Sequence, residues 1–255
     1  MTKDKNILII GASRGIGAAV LEEYARSGAH IYAASRDTAA LDAVAERSGT
    51  QGTAMRTAAC DVAQPDQIRK VVEMGKDFLG RIDVFLYNAG VGGPAWMRNF
   101  SAQDTERVFA VNFHGLAVAL ECAIPLLREQ GGGVFAGVGS LADVRGYPGT
   151  AAYCASKAAA AILLESARVE LRPLGIHVLT VRPGFVRTAM TAMNEFHMPF
   201  MLEPERAARI IIRGIARRKS VIQFPWQIAL ATRIIRILPN ALFDMTARKA
   251  RTGKS

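Results

Sequence analysis

Asn6-Ile7-Leu8-Ile9-Ile10 runs straight into Gly11-Ala12-Ser13-Arg14-Gly15-Ile16-Gly17, and a helical pattern continues from there to Ser27. A short β-branched run, a glycine turn and a helix in succession predict a strand-turn-helix unit. Gly28 ends that helix, His30 to Ala34 is a second strand, and Thr38 to Ser48 is an alanine-rich helix. Further apolar runs follow at Ala54 to Ala59, Ile82 to Leu86, Val134 to Val138, Ile176 to Val181 and Val221 to Phe224. Between them lie stretches of 3.6-residue periodicity at Pro65 to Leu79, Ser101 to Glu129, Ala152 to Leu174 and Pro204 to Arg218. Parallel neighbours need crossover connections, so this alternation predicts a doubly wound α/β fold with one seven-stranded parallel sheet covered by helices on both faces. No repeat or linker divides the chain. Residues 1–224 are read as one domain and residues 225–255 as a basic, partly apolar helical extension of it.

Half of the 255 residues are hydrophobic and 21% are charged, which excludes a disordered chain. Cys60, Cys122 and Cys154 are too few and too scattered for a disulfide framework or a metal cage, which points to a reducing compartment and no metal site. No apolar run is expected to reach the roughly 18 residues of a membrane-spanning helix. The run Ile7 to Ile10 ends in a glycine motif where a signal peptide would have a cleavage site. These features predict a cytoplasmic protein. Residues 1–200 hold 20 basic and 19 acidic side chains, whereas residues 201–255 hold 12 and 3. A neutral body with a basic end excludes general nucleic-acid binding and points to a local contact instead.

A glycine turn between strand and helix lets backbone approach a pyrophosphate while the helix N-terminus attracts the anion. Gly11, Gly15 and Gly17 suit that use, so the turn is a candidate dinucleotide site. The second strand ends in Ala34-Ser35-Arg36, with no carboxylate to accept from the adenosine ribose. Arg36, with Arg14 reaching from the glycine turn, favours a 2′-phosphate, and NADP(H) is expected over NAD(H). The competing reading leaves Arg36 solvated and gives Asp37 a helix cap. Tyr153 and Lys157 stand one turn apart on a predicted helix, where an ammonium beside a phenol is expected to lower the tyrosine pKa and create a proton donor and acceptor.

Taken together, Gly11-Ala12-Ser13-Arg14-Gly15-Ile16-Gly17, Cys60-Asp61-Val62, Asn88-Ala89-Gly90, Val111-Asn112, Ser140, Tyr153 with Lys157, and Pro183-Gly184 with Thr188 resemble the short-chain dehydrogenase/reductase family. The resemblance runs from Asn6 to about Phe224 and implies a Rossmann-like sheet. It implies that Tyr153 is the general acid in reduction and the base in oxidation, and that Lys157 tunes it and holds the nicotinamide ribose. It further implies that Ser140 hydrogen-bonds the substrate oxygen and that Asn112 supports a proton-relay water. For the cofactor it implies Gly11, Ser13, Arg14, Gly15, Ile16 and Gly17 at the turn, and Ser35 and Arg36 at the second strand. Asp61 and Val62 fall at the adenine, Asn88, Ala89 and Gly90 beside the ribose, and Pro183, Gly184, Val186 and Thr188 around the nicotinamide. Ile10 in place of the usual Thr and Tyr87 in place of the first Asn depart from the pattern.

Met190, Met193, Phe196, Met198, Phe200 and Met201 crowd the stretch after Thr188. By resemblance this stretch is a mobile lid, implying a small hydrophobic carbonyl or alcohol substrate. The alternative is that these side chains pack a helix pair. Phe224 to Pro239 is an apolar helix candidate with two arginines, suited either to peripheral contact with a membrane or to a subunit or core contact. The expected function is an NADP(H)-dependent oxidoreductase acting as a homodimer or homotetramer. Its alternative is a catalytically silent NADP(H)-binding sensor or scaffold, against which stands the presence of Asn112, Ser140, Tyr153 and Lys157.

Overall fold

Every side chain from Ile7 to Ile10 is fully buried, yet they alternate between two cores, Ile7 and Ile9 on one side and Leu8 and Ile10 on the other. That alternation is what a strand covered on both faces must do. Each of these burials contributes of the order of 2 kcal/mol. The structure is a computed structural model that describes residues 3–49, 54–193 and 196–252. Asn194 and Glu195 of the lid stretch, and residues 253–255 of the extension, lie outside the described residues.

In chain order the strands are β1 (Asn6–Ile10), β2 (His30–Ser35), β3 (Met55–Ala59), β4 (Val84–Tyr87), β5 (Gly133–Val138), β6 (Ile176–Pro183) and β7 (Val221–Phe224). All neighbours pair in parallel, in the order β3-β2-β1-β4-β5-β6-β7. The helices are α1 (Gly15–Arg26), α2 (Thr38–Ser48), α3 (Pro65–Leu79), α4 (Ala102–Phe109), α5 (Gly115–Glu129), α6 (Ala151–Leu171), α7 (Ala189–Ala192), α8 (Pro204–Ala216), α9 (Trp226–Ile237) and α10 (Asn240–Thr252). Buried residues of α1, α2 and α8 join one core and those of α3, α5 and α6 the other. The strand order reverses direction between β1 and β4, which opens a crevice at their carboxyl ends.

Close approach at that crevice dictates glycine. Gly11 has φ +90°, and a Cβ on Gly17 would lie 2.0 Å from the Gly11 carbonyl oxygen and 2.5 Å from Asn88 Nδ2. Neither backbone nor the hydrogen-bonded amide can withdraw cheaply. Gly17→Ala is therefore expected to cost about 3 kcal/mol of stability, seen as a lower urea midpoint. An unchanged midpoint would show that α1 can shift away from β4.

Two sequence expectations are corrected. The helix expected over Ser101 to Glu129 is divided by a π-helical turn at Ala110–His114, because one wider turn leaves the 3.6-residue pattern intact on either side. The Tyr87 hydroxyl donates to the Val111 carbonyl inside that turn, at 2.6 Å. A Cβ on Gly115, just beyond it, would come within 2.4 Å of that hydroxyl. The tyrosine that departs from the family pattern thus braces the turn bearing Asn112. Contrary to the expectation that no run is long enough, Ala102–Glu129 is by length and composition apolar enough to cross a membrane. Its inner face, including Leu116, Ala119, Leu120, Ala123 and Leu127, is spent on the core.

The apolar tail forms α9, which buries only Ala229 and Thr232. Arg145 ties the extension to the body. It donates to the carbonyls of Ile235 (3.3 Å) and Leu238 and to Asn240 Oδ1 (3.0 Å), and its guanidinium lies 4.8 Å from the Phe243 ring centroid.

Candidate active site

The carboxyl ends of β1, β2, β4, β5 and β6 deliver the glycine turn, Ser35 and Arg36, Asn88 to Gly90, Ser140 and the Pro183–Thr188 segment, while Asp61 and Val62 follow β3, Asn112 sits in the π turn and Tyr153 and Lys157 come from α6. The glycine turn leaves β1, and α1 starts behind Arg14, whose side chain makes no capping hydrogen bond. The first N–H groups of α1 therefore face outward with no side-chain acceptor at the cap, beside glycines that leave no room for a Cβ. This cradle fits a pyrophosphate. A Cβ on Gly15 would lie 2.8 Å from Thr188 Cγ2, which brings the segment after β6 against the glycine turn. Asn88 Nδ2 donates to the Gly11 carbonyl at 2.7 Å and locks β4's exit to β1's.

Ser35 donates to the Ser13 hydroxyl at 2.7 Å, joining the end of β2 to the glycine turn. Arg36 beside it is exposed. Arg14 pairs with Asp37, which also accepts from Ala40 N (3.0 Å) as the cap of α2 and lies within the field of Arg36. The Ala40 N–H and Arg14 together hold the Asp37 carboxyl below the usual aspartate range. The capping role weighed for Asp37 is thus correct, and it coexists with the arginine pair. Asp61 follows β3 and accepts from Ala63 N at 3.0 Å, while Val62 is buried beneath α5.

Asn112, only 1% exposed, grips β4's exit loop. Its Oδ1 accepts from Val91 N (2.8 Å), and its Nδ2 donates to the Val91 carbonyl (2.9 Å) and to Ser156 Oγ (3.0 Å). Lys157 is 3% exposed and donates to the Val138 carbonyl at 2.8 Å. A Cβ on Gly90 would lie 3.2 Å from its Nζ, and one on Gly92 would lie 3.0 Å from Tyr153 Cδ2. Ser140 leaves β5, accepts from Ala142 N at 3.1 Å, and stands close enough to the Tyr153 phenol to lower its pKa. Tyr153, Ser140, Lys157 and Asn112 are therefore gathered within one neighbourhood at the carboxyl end of β4 and β5.

The expected depression of the Tyr153 pKa is reversed. Burial pushes the phenol up, partly offset by the nearby Ser140 hydroxyl, and Lys157 lies 6.0 Å from the ring centroid with its ammonium turned to Val138. Burial in turn lowers Lys157 to about 8. Sharing a helical face does not bring the two polar tips together. Sequence reasoning also missed Gly92, Ser156 and the pair Asp143–Arg182 directly beyond Ser140. Only the adjacent Gly92-Gly93 offered a signal, as a second place of close backbone approach.

Lid residues Met193, Phe196 and Phe200 are exposed, so the helix-pair packing weighed for them does not hold for these three. The loop is pinned at its base where Val186, itself buried, bridges Leu202. Pro183 ends β6, and Gly184 N donates to the Phe224 carbonyl at 2.7 Å.

Residues 5–197 match the profile of the family described as short chain dehydrogenase. The chain belongs to the short-chain dehydrogenase/reductase family. This short-chain dehydrogenase is an oxidoreductase of the NAD(P)-dependent CH–OH/C=O class. It is 36% identical over 247 residues to an uncharacterized oxidoreductase of Myxococcus xanthus, covering 97% of this chain and 98% of that protein. It is 32% identical over 219 residues to a 3-oxoacyl-[acyl-carrier-protein] reductase of Thermotoga maritima, covering 82% and 89%. Among solved structures, a short chain dehydrogenase/reductase from Burkholderia phymatum in complex with NAD superposes with a TM-score of 0.84 at 23% identity over 91% of this chain and 93% of that one. A short-chain type dehydrogenase/reductase from Mycobacterium marinum gives 0.79 at 30% identity, covering 87% and 93%.

Proposed function

We propose that this short-chain dehydrogenase reduces an apolar aldehyde or ketone with NADP(H), and runs the reverse oxidation of the corresponding alcohol. The observation that carries the reading is the placement of the Ser140 hydroxyl beside the Tyr153 phenol, with Lys157 buried behind them. Ser140 holds the substrate oxygen as negative charge develops on it. Tyr153 gives its proton to that oxygen. The Lys157 ammonium keeps positive charge near the phenol, and Asn112 fixes the Val91 loop that carries Gly90 and Gly92 against these two side chains. A bound nicotinamide supplies or accepts the hydride.

Gly11, Ser13, Gly15, Ile16 and Gly17 form the pyrophosphate cradle in this reading. Asp61, Val62, Asn88, Ala89, Gly90, Pro183, Gly184, Val186 and Thr188 line the rest. The NADP(H) preference rests on Arg36, exposed at the end of β2, and on Arg14, which would exchange Asp37 for a 2′-phosphate. The apolar substrate rests on the exposed lid residues Met193, Phe196 and Phe200. Residues 225–255 are taken as part of the same domain because Arg145 clasps them to the loop beyond Ser140. Exposed Ile162, Val169 and Leu174 on and just beyond α6 support a homodimer or homotetramer, and the free cysteines suit a cytoplasmic setting.

NADPH and NADH oxidation across a panel of apolar carbonyls tests this. The intact protein is expected to prefer NADPH, and Arg36→Asp is expected to lower that preference roughly ten- to a hundredfold by removing a charge-assisted contact and adding a repulsion. An unaltered ratio would remove Arg36 from the cofactor site, and a wild-type preference for NADH would overturn the NADP(H) reading.

A further inference from the structure

Sixteen large apolar side chains are exposed among the described residues, and they are not scattered. Eleven follow the carboxyl ends of β4, β6 and β7, on the edge of the sheet where the active site opens. More than half of those eleven belong to the extension. Trp226, Leu230, Ile234 and Ile237, spaced at four, four and three residues, share one face of α9, and Leu242 and Met245 are exposed on the following α10. Trp226 is 70% and Ile237 80% exposed. The opposite side of α9 holds the buried Ala229 and Thr232, so this helix is packed by one face and leaves its apolar stripe outward. An exposed apolar face of this extent marks an interaction surface.

We propose that this face docks on the surface of an anionic lipid bilayer, with the substrate entrance turned toward the lipid. Charge decides between occupants. Residues 225–255, which include α9 and α10, carry six basic residues and one acidic residue, with Arg233 and Arg236 exposed on α9 itself. A second copy of the chain would meet this face with the same face across a two-fold axis, opposing like charge to like charge. Anionic headgroups complement it, while arginine stems lie along the apolar layer and their guanidiniums reach the phosphates. Tryptophan suits the same boundary. The Arg145 clasp fixes α9 and α10 to the loop beyond Ser140, so docking orients the whole active-site edge.

The full-length protein is sedimented with vesicles of phosphatidylcholine alone and of phosphatidylcholine with phosphatidylglycerol. Binding to the anionic vesicles, weakened by added salt, is expected. The double variant Ile234→Asp, Ile237→Asp is expected to bind them at least about tenfold more weakly. Its helical content and its NADPH turnover on a water-soluble ketone should match wild type, since neither residue belongs to the catalytic or cofactor machinery. Equal sedimentation of variant and wild type, or no preference for the anionic vesicles, would overturn the proposal. So would light scattering that shows an oligomer dissociated by the variant, which would assign the face to a second copy. Sedimentation needs no turnover, so failure of the reductase reading would leave this test intact.

Discussion

Tyr153→Phe is expected to lower carbonyl reduction by roughly 10²–10⁴-fold, the usual weight of a positioned proton donor. The substitution removes one oxygen and leaves the ring against Gly92, so the fold and cofactor binding should survive. NADPH fluorescence titration of the variant separates the two effects: unchanged binding with lost turnover fits a proton donor, whereas turnover within about threefold of wild type would exclude the role. The pH profile follows from the same site. Burial raises the phenol pKa, so Tyr153 carries its proton throughout the neutral range. Lys157, lowered to about 8, loses its charge first as pH climbs. Reduction is expected to be level below pH 8 and to decline above it.

What the sequence disclosed and what it hid differ in physical kind. Strand β1 was legible because burial on both faces leaves an unbroken apolar run, and the glycines after it because positive φ at Gly11 and Gly15, and a Cβ that would fall 2.0 Å from backbone at Gly17, disfavour every other residue. Those constraints are local, and local constraints survive in one chain's order of residues. The π turn at Asn112 was not legible, since its cause is a hydroxyl from β4 reaching Val111 across 24 positions. Nor was the direction of the Tyr153 shift. Helical spacing sets which face a side chain leaves from, but the Val138 carbonyl that draws the Lys157 ammonium aside comes from β5, 19 positions earlier. The Arg145 clasp spans about 90 positions and had no sequence signal at all.

Lys157→Met should make the unliganded protein more stable while ending its activity. Burial holds the folded-state ammonium at about 8 against an ordinary value of 10.5, so the folded chain binds that proton less tightly than the unfolded chain. Below pH 8 both states keep the proton, and folding carries the whole cost of the buried charge, about 3 kcal/mol for a displacement of this size. Between about 8 and 10.5 the unfolded chain binds more protons than the folded one, so wild-type stability rises with pH across that window. Above it the cost is gone. Methionine fills a similar volume without charge and forfeits the hydrogen bond to the Val138 carbonyl, worth about 1 kcal/mol. The variant should therefore gain about 2 kcal/mol at pH 7 in urea unfolding, and the gain should shrink toward zero or below as pH approaches 10.5. A variant less stable than wild type at pH 7 would show that the Val138 bond outweighs desolvation. A gain that persists undiminished at high pH would show that packing, not charge, is its source. The expected pattern makes Lys157 a destabilising residue in the free protein, retained because a buried positive charge beside Tyr153 is what the chemistry requires.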